Sequence, residues 1–249
     1  MASGDKNNYD ENNNEMVNTS YLSEISLELP GTNIIWCSDG IVGPVNDWDA
    51  TSVIKKGANL EELIATLKEQ DLTKKVVILS GGNNDITKKG YGIDPSFSIG
   101  KEEYIITHMV SNITKHIWNL SRYLRRKQSL LIVCGLIPRP SESDPKECAY
   151  PENIQKIISE AFVRANNEIH QLNDSQNLKT PNLKHYVEVK TKKGKGKEFY
   201  NYEGREQKRI CVSKFENDKV NIKKPTLEKM KEHIFECNKK HVENFLENI

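Results

Sequence analysis

Apolar and polar residues along this chain fall into two kinds of block. Short unbroken apolar runs occupy Asn33–Cys37, Val76–Leu79 and Leu130–Cys134, and each ends in small or polar residues. A run of that length, rich in β-branched residues and closed by a turn signal, predicts a strand buried on both faces. Between these runs the apolar residues recur at helical spacing. Leu60, Leu63, Ile64 and Leu67 share one helical face. Ile105, Met109, Ile113, Ile117, Leu120 and Leu124 mark a long amphipathic helix, and Ile154, Ile158, Phe162, Ala165, Ile169 and Leu172 mark another. Leu227, Met230, Ile234, Cys237, His241 and Phe245 mark a last one, while Tyr186, Val187 and Val189 predict a late strand. Buried strands alternating with helices predict a parallel sheet covered by helices on both faces.

Composition sets the boundaries of that domain. Residues 1–29 are Asn-rich and carry six acids against one lysine. They have too little apolar surface to offset the entropy of ordering, so they read as a disordered tail ahead of a domain at 30–249. The longest apolar run, Leu130–Ile137, spans eight residues. A membrane helix needs about 20, so no membrane partner is expected. Five cysteines without a Cys-x-x-Cys pair exclude a disulfide framework and a zinc site as leading readings. Cys37 and Cys134 read as core filling. No metal or cofactor is expected, and a reducing, cytoplasmic or nuclear setting fits best.

In a parallel sheet, ligands bind beyond the carboxyl ends of the strands, which directs attention to the turns there. The first strand ends in Ser38-Asp39-Gly40. Gly57 precedes the first amphipathic helix. The next strand ends in Gly81-Gly82-Asn83-Asn84-Asp85, and Asp218-Lys219-Val220-Asn221 precedes the last helix. Each is also ordinary turn composition. Their order resembles the four blocks of the SGNH (GDSL-type) hydrolase superfamily over roughly residues 31 to 245. The resemblance implies a three-layer α/β/α, flavodoxin-like fold around a parallel sheet, and an acyl-hydrolase ancestry with a degenerate triad. It places Gly40 where the family has its nucleophilic Ser, and Asn221 where it has the His of Asp-x-x-His. It retains Asp39, Gly57 and Asn84, the last two as oxyanion donors, together with Asp218.

Acyl transfer in that family needs a hydroxyl nucleophile and an imidazole to take its proton. Gly40 has no side chain, and a carboxamide at 221 is not a base. The resemblance therefore implies a pseudo-hydrolase. An active esterase would need a displaced nucleophile, Ser38 or Cys37, and a substitute base, of which His185 is the nearest candidate. A protein-interaction scaffold is a third reading.

Net charge changes the picture last. The chain totals +1, yet residues 179–224 hold 14 Lys and Arg against six acids. Lys190, Lys192, Lys193, Lys195 and Lys197 cluster around two glycines, as in a loop or hairpin tip. Arg205, Lys208 and Arg209 follow, with Tyr and Phe interleaved. Cations neutralise phosphates and exposed aromatics stack on unpaired bases, so RNA or another polyanion is the first partner expected, with protein partners the alternative. The SGNH-like domain of Oskar, which lacks the triad and binds RNA, and retroelement-encoded esterase-like domains are similar in kind. Arg125, Arg126 and Lys127 could extend the basic surface or complement a helix dipole.

Overall fold

The computed structural model describes residues 33–42, 50–87, 100–138, 152–190, 208–210, 222 and 224–249. Strands β1 (Ile34–Ser38), β2 (Thr51–Ile54), β3 (Val76–Ser80) and β4 (Leu130–Val133) form one parallel sheet in the order β2-β1-β3-β4. The helices are α1 (Leu60–Leu67), a single turn α2 (Asn83–Thr87), α3 (Glu102–Arg126), α4 (Glu152–Asp174) and α5 (Lys224–Glu247). Every residue of β1 and β3 is buried, which is why those runs are apolar without alternation. Ile35, Cys37, Val77, Leu79, Leu131 and Val133 face a core shared with α1, α3 and α4. Ile34, Trp36, Val76, Ile78, Ile132 and Cys134 face the opposite core, closed by α5 and residues 178–187. The architecture is thus the three-layer α/β/α arrangement expected, and Cys37 and Cys134 are both core residues.

Two expectations change. The predicted late strand begins instead as a 3-10 turn at Leu183–Tyr186, packed in the second core. Only Glu188–Lys190 (β5) is extended, and it pairs with Lys208–Ile210 (β6) in a separate antiparallel sheet. The main sheet gains no fifth strand among the described residues. Its β4 edge is closed by side-chain amides. Asn173 accepts from the Val133 N–H at 3.1 Å and donates to the Val133 carbonyl at 2.7 Å. Asn166 makes the same paired bonds with Leu136, at 2.7 and 3.3 Å. A carboxamide presents one acceptor and one donor side by side, so each asparagine imitates a neighbouring strand. Without such partners the edge groups would be buried unpaired.

The last helix also turns differently from its apolar pattern. Met230, Ile234 and Val242 are buried, but so is Asn238, whose amide pairs with the backbone of Lys179 at 2.8 Å in both directions. His241 is consequently exposed and Cys237 half-buried.

Candidate functional site

The parallel register sets Ser38 of β1 beside Ile54 of β2 and Ser80 of β3, so the turns leaving these strands meet at one end of the sheet. Backbone bonds then tie them together. The Asp39 N–H donates to the Ser80 carbonyl at 3.1 Å, and the Gly57 N–H donates to the Asp39 carbonyl at 3.0 Å. Asn84 Nδ2 donates to the Ala58 carbonyl at 2.9 Å. The structure therefore gathers Asp39, Gly40, Gly57 and Asn84 into one constellation, as their order in the sequence implies. Asp218 and Asn221 lie outside the described residues.

Local chemistry explains how each piece is held. Gly40 has φ +96°, and a Cβ there would lie 2.9 Å from Cγ and 3.3 Å from Cα of Lys56. Only glycine takes that conformation readily, and the turn leaves no room for a side chain. Gly82, at φ +117°, would push a Cβ to 3.2 Å from Leu136. Asn59 caps α1 by accepting from the Glu62 N–H at 2.8 Å, while Glu62 accepts from the Asn59 N–H at 3.1 Å, a reciprocal capping box.

The two potential displaced nucleophiles are structural. Ser38 is fully buried; its Oγ donates to the Val42 carbonyl at 2.7 Å and accepts from the Gly40 N–H at 3.1 Å. Cys37 is also fully buried, and burial, with a smaller contribution from the charge of Asp39, pushes its thiol up to about 12. A thiol so far from ionisation is a poor nucleophile. The histidine proposed as a substitute base has partners elsewhere. His185 meets the Tyr186 ring edge-on, Tyr186 packs on His233, and His233 Nε2 lies 3.3 Å from Cys237 Sγ.

Asp85 is the site residue that sequence reasoning missed. It is 2% exposed. Its Oδ2 accepts from the Leu60 N–H at 2.9 Å, and its Oδ1 accepts from Asn112 Nδ2 at 3.3 Å. It therefore joins the β3–α2 turn to the first turn of α1 and the middle of α3. Burial raises its carboxyl to about 7, the charges of Asp39 and Glu62 push the same way, and the Leu60 N–H opposes them. Its signal in the sequence was an acid closing the run Gly81-Gly82-Asn83-Asn84-Asp85, a composition that turns share. Asn83 Nδ2 donates to the Ile137 carbonyl, pinning the turn to the loop after β4.

Among the described residues no group of three His, Cys, Asp or Glu is arranged to hold a metal ion, and no helix is long and apolar enough to cross a membrane. Of the basic segment, Lys190, Lys208 and Arg209 are placed by their backbone. Lys190 stands opposite Lys208, and Val189 opposite Arg209. Lys192, Lys193, Lys195, Lys197 and Arg205 lie outside the described residues, in the stretch joining these two strands.

The sequence matches no protein-family model and no curated protein. Among solved structures, it is similar to the crystal structure of a GDSL-like lipase from Bacteroides thetaiotaomicron. That likeness covers 86% of this chain and 89% of that one, at 12% identity and a TM-score of 0.48.

Proposed function

We propose that this protein is a non-catalytic binding module on an SGNH-hydrolase-like framework, with RNA as its partner. The observation that carries the non-catalytic reading is the inward turn of its donors. The Gly57 N–H and one of the two N–H groups of the Asn84 carboxamide, the groups that the sequence resemblance assigns to an oxyanion, donate to the Asp39 and Ala58 carbonyls. An oxyanion hole works because its donors wait, unspent, for charge that develops in the transition state. The surroundings oppose that charge as well. Asp39 and Glu62 already disfavour ionisation of Asp85 next to them, and an oxyanion formed there would meet the same repulsion.

The RNA reading rests on charge concentration. The β5–β6 register sets Lys190 against Lys208. A polyanion neutralises such a concentration of cations along the sequence and releases the counterions around it. Five lysines between residues 190 and 197 add to the same end. The test is filter binding of a fluorescent single-stranded RNA, in rising salt, to the full chain and to a Lys192/Lys193/Lys195/Lys197→Ala variant. Binding that weakens with salt, and whose salt slope shrinks by about three in the variant, supports the reading. No binding at low salt, or an unchanged slope, removes it.

A further inference from the structure

At the other end of the sheet, where the chain enters β3 and β4, lies an open cavity of about 670 Å³, walled mostly by exposed side chains, that the candidate site does not use. Its wall comes from three places. Lys74 stands just before β3. Arg125 and Gln128 close the end of α3. His241, Asn244 and Phe245 stand on α5, where spacings of three and four residues put them on one helical face. Among the described residues its lining side chains include a lysine, an arginine and a histidine but no aspartate or glutamate, and the main-chain carboxylate of Ile249 is the anion at its rim. The volume is within the range of small-molecule sites.

The wall is chemically divided. Lys74 and Arg125 offer charged donors, the usual partners of phosphate oxygens. Lys74 Nζ donates one of its three N–H groups to a carboxylate oxygen of Ile249, the last residue of the chain, at 3.1 Å, and keeps two for a ligand. Gln128 and Asn244 offer carboxamides, which pair with the mixed donor and acceptor edge of a nucleobase. The rings of exposed His241 and of Phe245, which also packs on the second core, line the same wall, and rings of this kind stack on nucleobases. Backbone conformation adds a second kind of observation. Lys74 has φ +54° and Gln128 φ +56°. Gln128 occupies the position after the α3 cap, where the Ser129 N–H reaches back to the Leu124 carbonyl at 3.0 Å. Glycine or asparagine usually fills such a helix stop. This chain instead places long polar side chains at both left-handed positions, and both line the cavity.

We propose that this cavity binds a nucleotide, with the phosphate on Lys74 and Arg125 and the base against His241, Phe245 and the two carboxamides. The inference is independent of the basic segment around residues 190–197. The ligand is either a free mononucleotide or one nucleotide unit of a single-stranded RNA.

Isothermal titration of the full chain with AMP and UMP tests this, with inorganic phosphate and the matching nucleosides as half-ligands. The expected result is a Kd below about 1 mM for at least one nucleotide, and binding about tenfold weaker for either half alone. Two variants remove wall groups while suiting the backbone, Lys74→Gly and Gln128→Gly, because glycine accepts positive φ without strain. Both should fold at least as well as the parent, as judged by thermal melting. Lys74→Gly should weaken nucleotide binding about tenfold, and the exposed Arg125→Gln similarly. A hexauridylate that competes with UMP and binds more tightly identifies RNA as the source; one that binds more weakly identifies the free nucleotide. No measurable heat with either nucleotide, or a Kd unchanged in both Lys74→Gly and Arg125→Gln, overturns the proposal.

Discussion

Asp85→Asn is the most informative perturbation of the candidate site, because its effect depends on pH in a direction the structure dictates. In the folded chain the carboxyl of Asp85 is raised from 3.8 to about 7, mainly by burial. In the unfolded chain it titrates near its ordinary value. The folded state therefore holds this proton longer. Its contribution to stability is fully present below about pH 4, falls as pH rises, and levels off above about pH 7. A shift of about three units is worth about 4 kcal/mol. Asparagine is nearly isosteric and does not titrate. Its Oδ1 can accept from the Leu60 N–H, and rotation of the Asn112 amide presents an oxygen to its Nδ2, so both bonds made by Asp85 survive. Urea unfolding of parent and variant from about pH 4.5 to 8 is the assay. The variant should gain on the parent steadily across that range, by roughly 3–4 kcal/mol in total. Most of the rise should fall between about pH 5 and 7, where the parent ionises in the unfolded state but not in the folded one. A difference that stays constant within about 0.5 kcal/mol, or that shrinks as pH rises, refutes the reasoning.

Asn173→Ala removes both amide bonds to Val133 from a fully buried position. It leaves a backbone donor and acceptor unpaired, at a cost of about 2–5 kcal/mol. Denaturant unfolding measures this, and a loss under about 1 kcal/mol would contradict the edge-closing role. Gly40→Ser installs a hydroxyl at the position that the sequence resemblance aligns with a nucleophile. It forces a side chain onto φ +96° and against Lys56, so it should cost about 1–3 kcal/mol and produce no esterase. Parental stability in the Gly40→Ser variant, together with saturable ester turnover, would contradict this.

The fold was legible where one residue type settles the outcome. Ile34–Ser38 and Val76–Ser80 announce themselves because strands covered on both faces admit apolar side chains throughout. The face Leu60, Leu63, Ile64 and Leu67 is buried as its spacing requires. β2 left no such mark, since it is an edge strand of which only Val53 is buried. The end of α5 misled because Asn238 turns inward. Its partner is the backbone of Lys179, 59 residues away in sequence, and no hydrophobic pattern records a bond of that kind. Asn166 and Asn173 were unreadable for the same reason. In the site, the order of the turns revealed that Asp39, Gly40, Gly57 and Asn84 meet. It could not reveal that Asn84 and Gly57 donate to carbonyls of the adjoining loops, because donor direction is set by loop geometry. Asp85 stood in the Gly82-Asn83-Asn84-Asp85 block but received no role, because an acid at the end of such a run is common in turns. What distinguishes it is its burial against two helices.

The central claim is that this framework binds without catalysing, and hydrolysis of p-nitrophenyl acetate by the purified full chain tests it most directly. The Gly57 N–H bonded to Asp39, the Asn84 amide bonded to Ala58 and the bare backbone at Gly40 predict release of p-nitrophenol at the rate of buffer alone, with no labelling by a fluorophosphonate probe. Saturable turnover that the fluorophosphonate abolishes would contradict it.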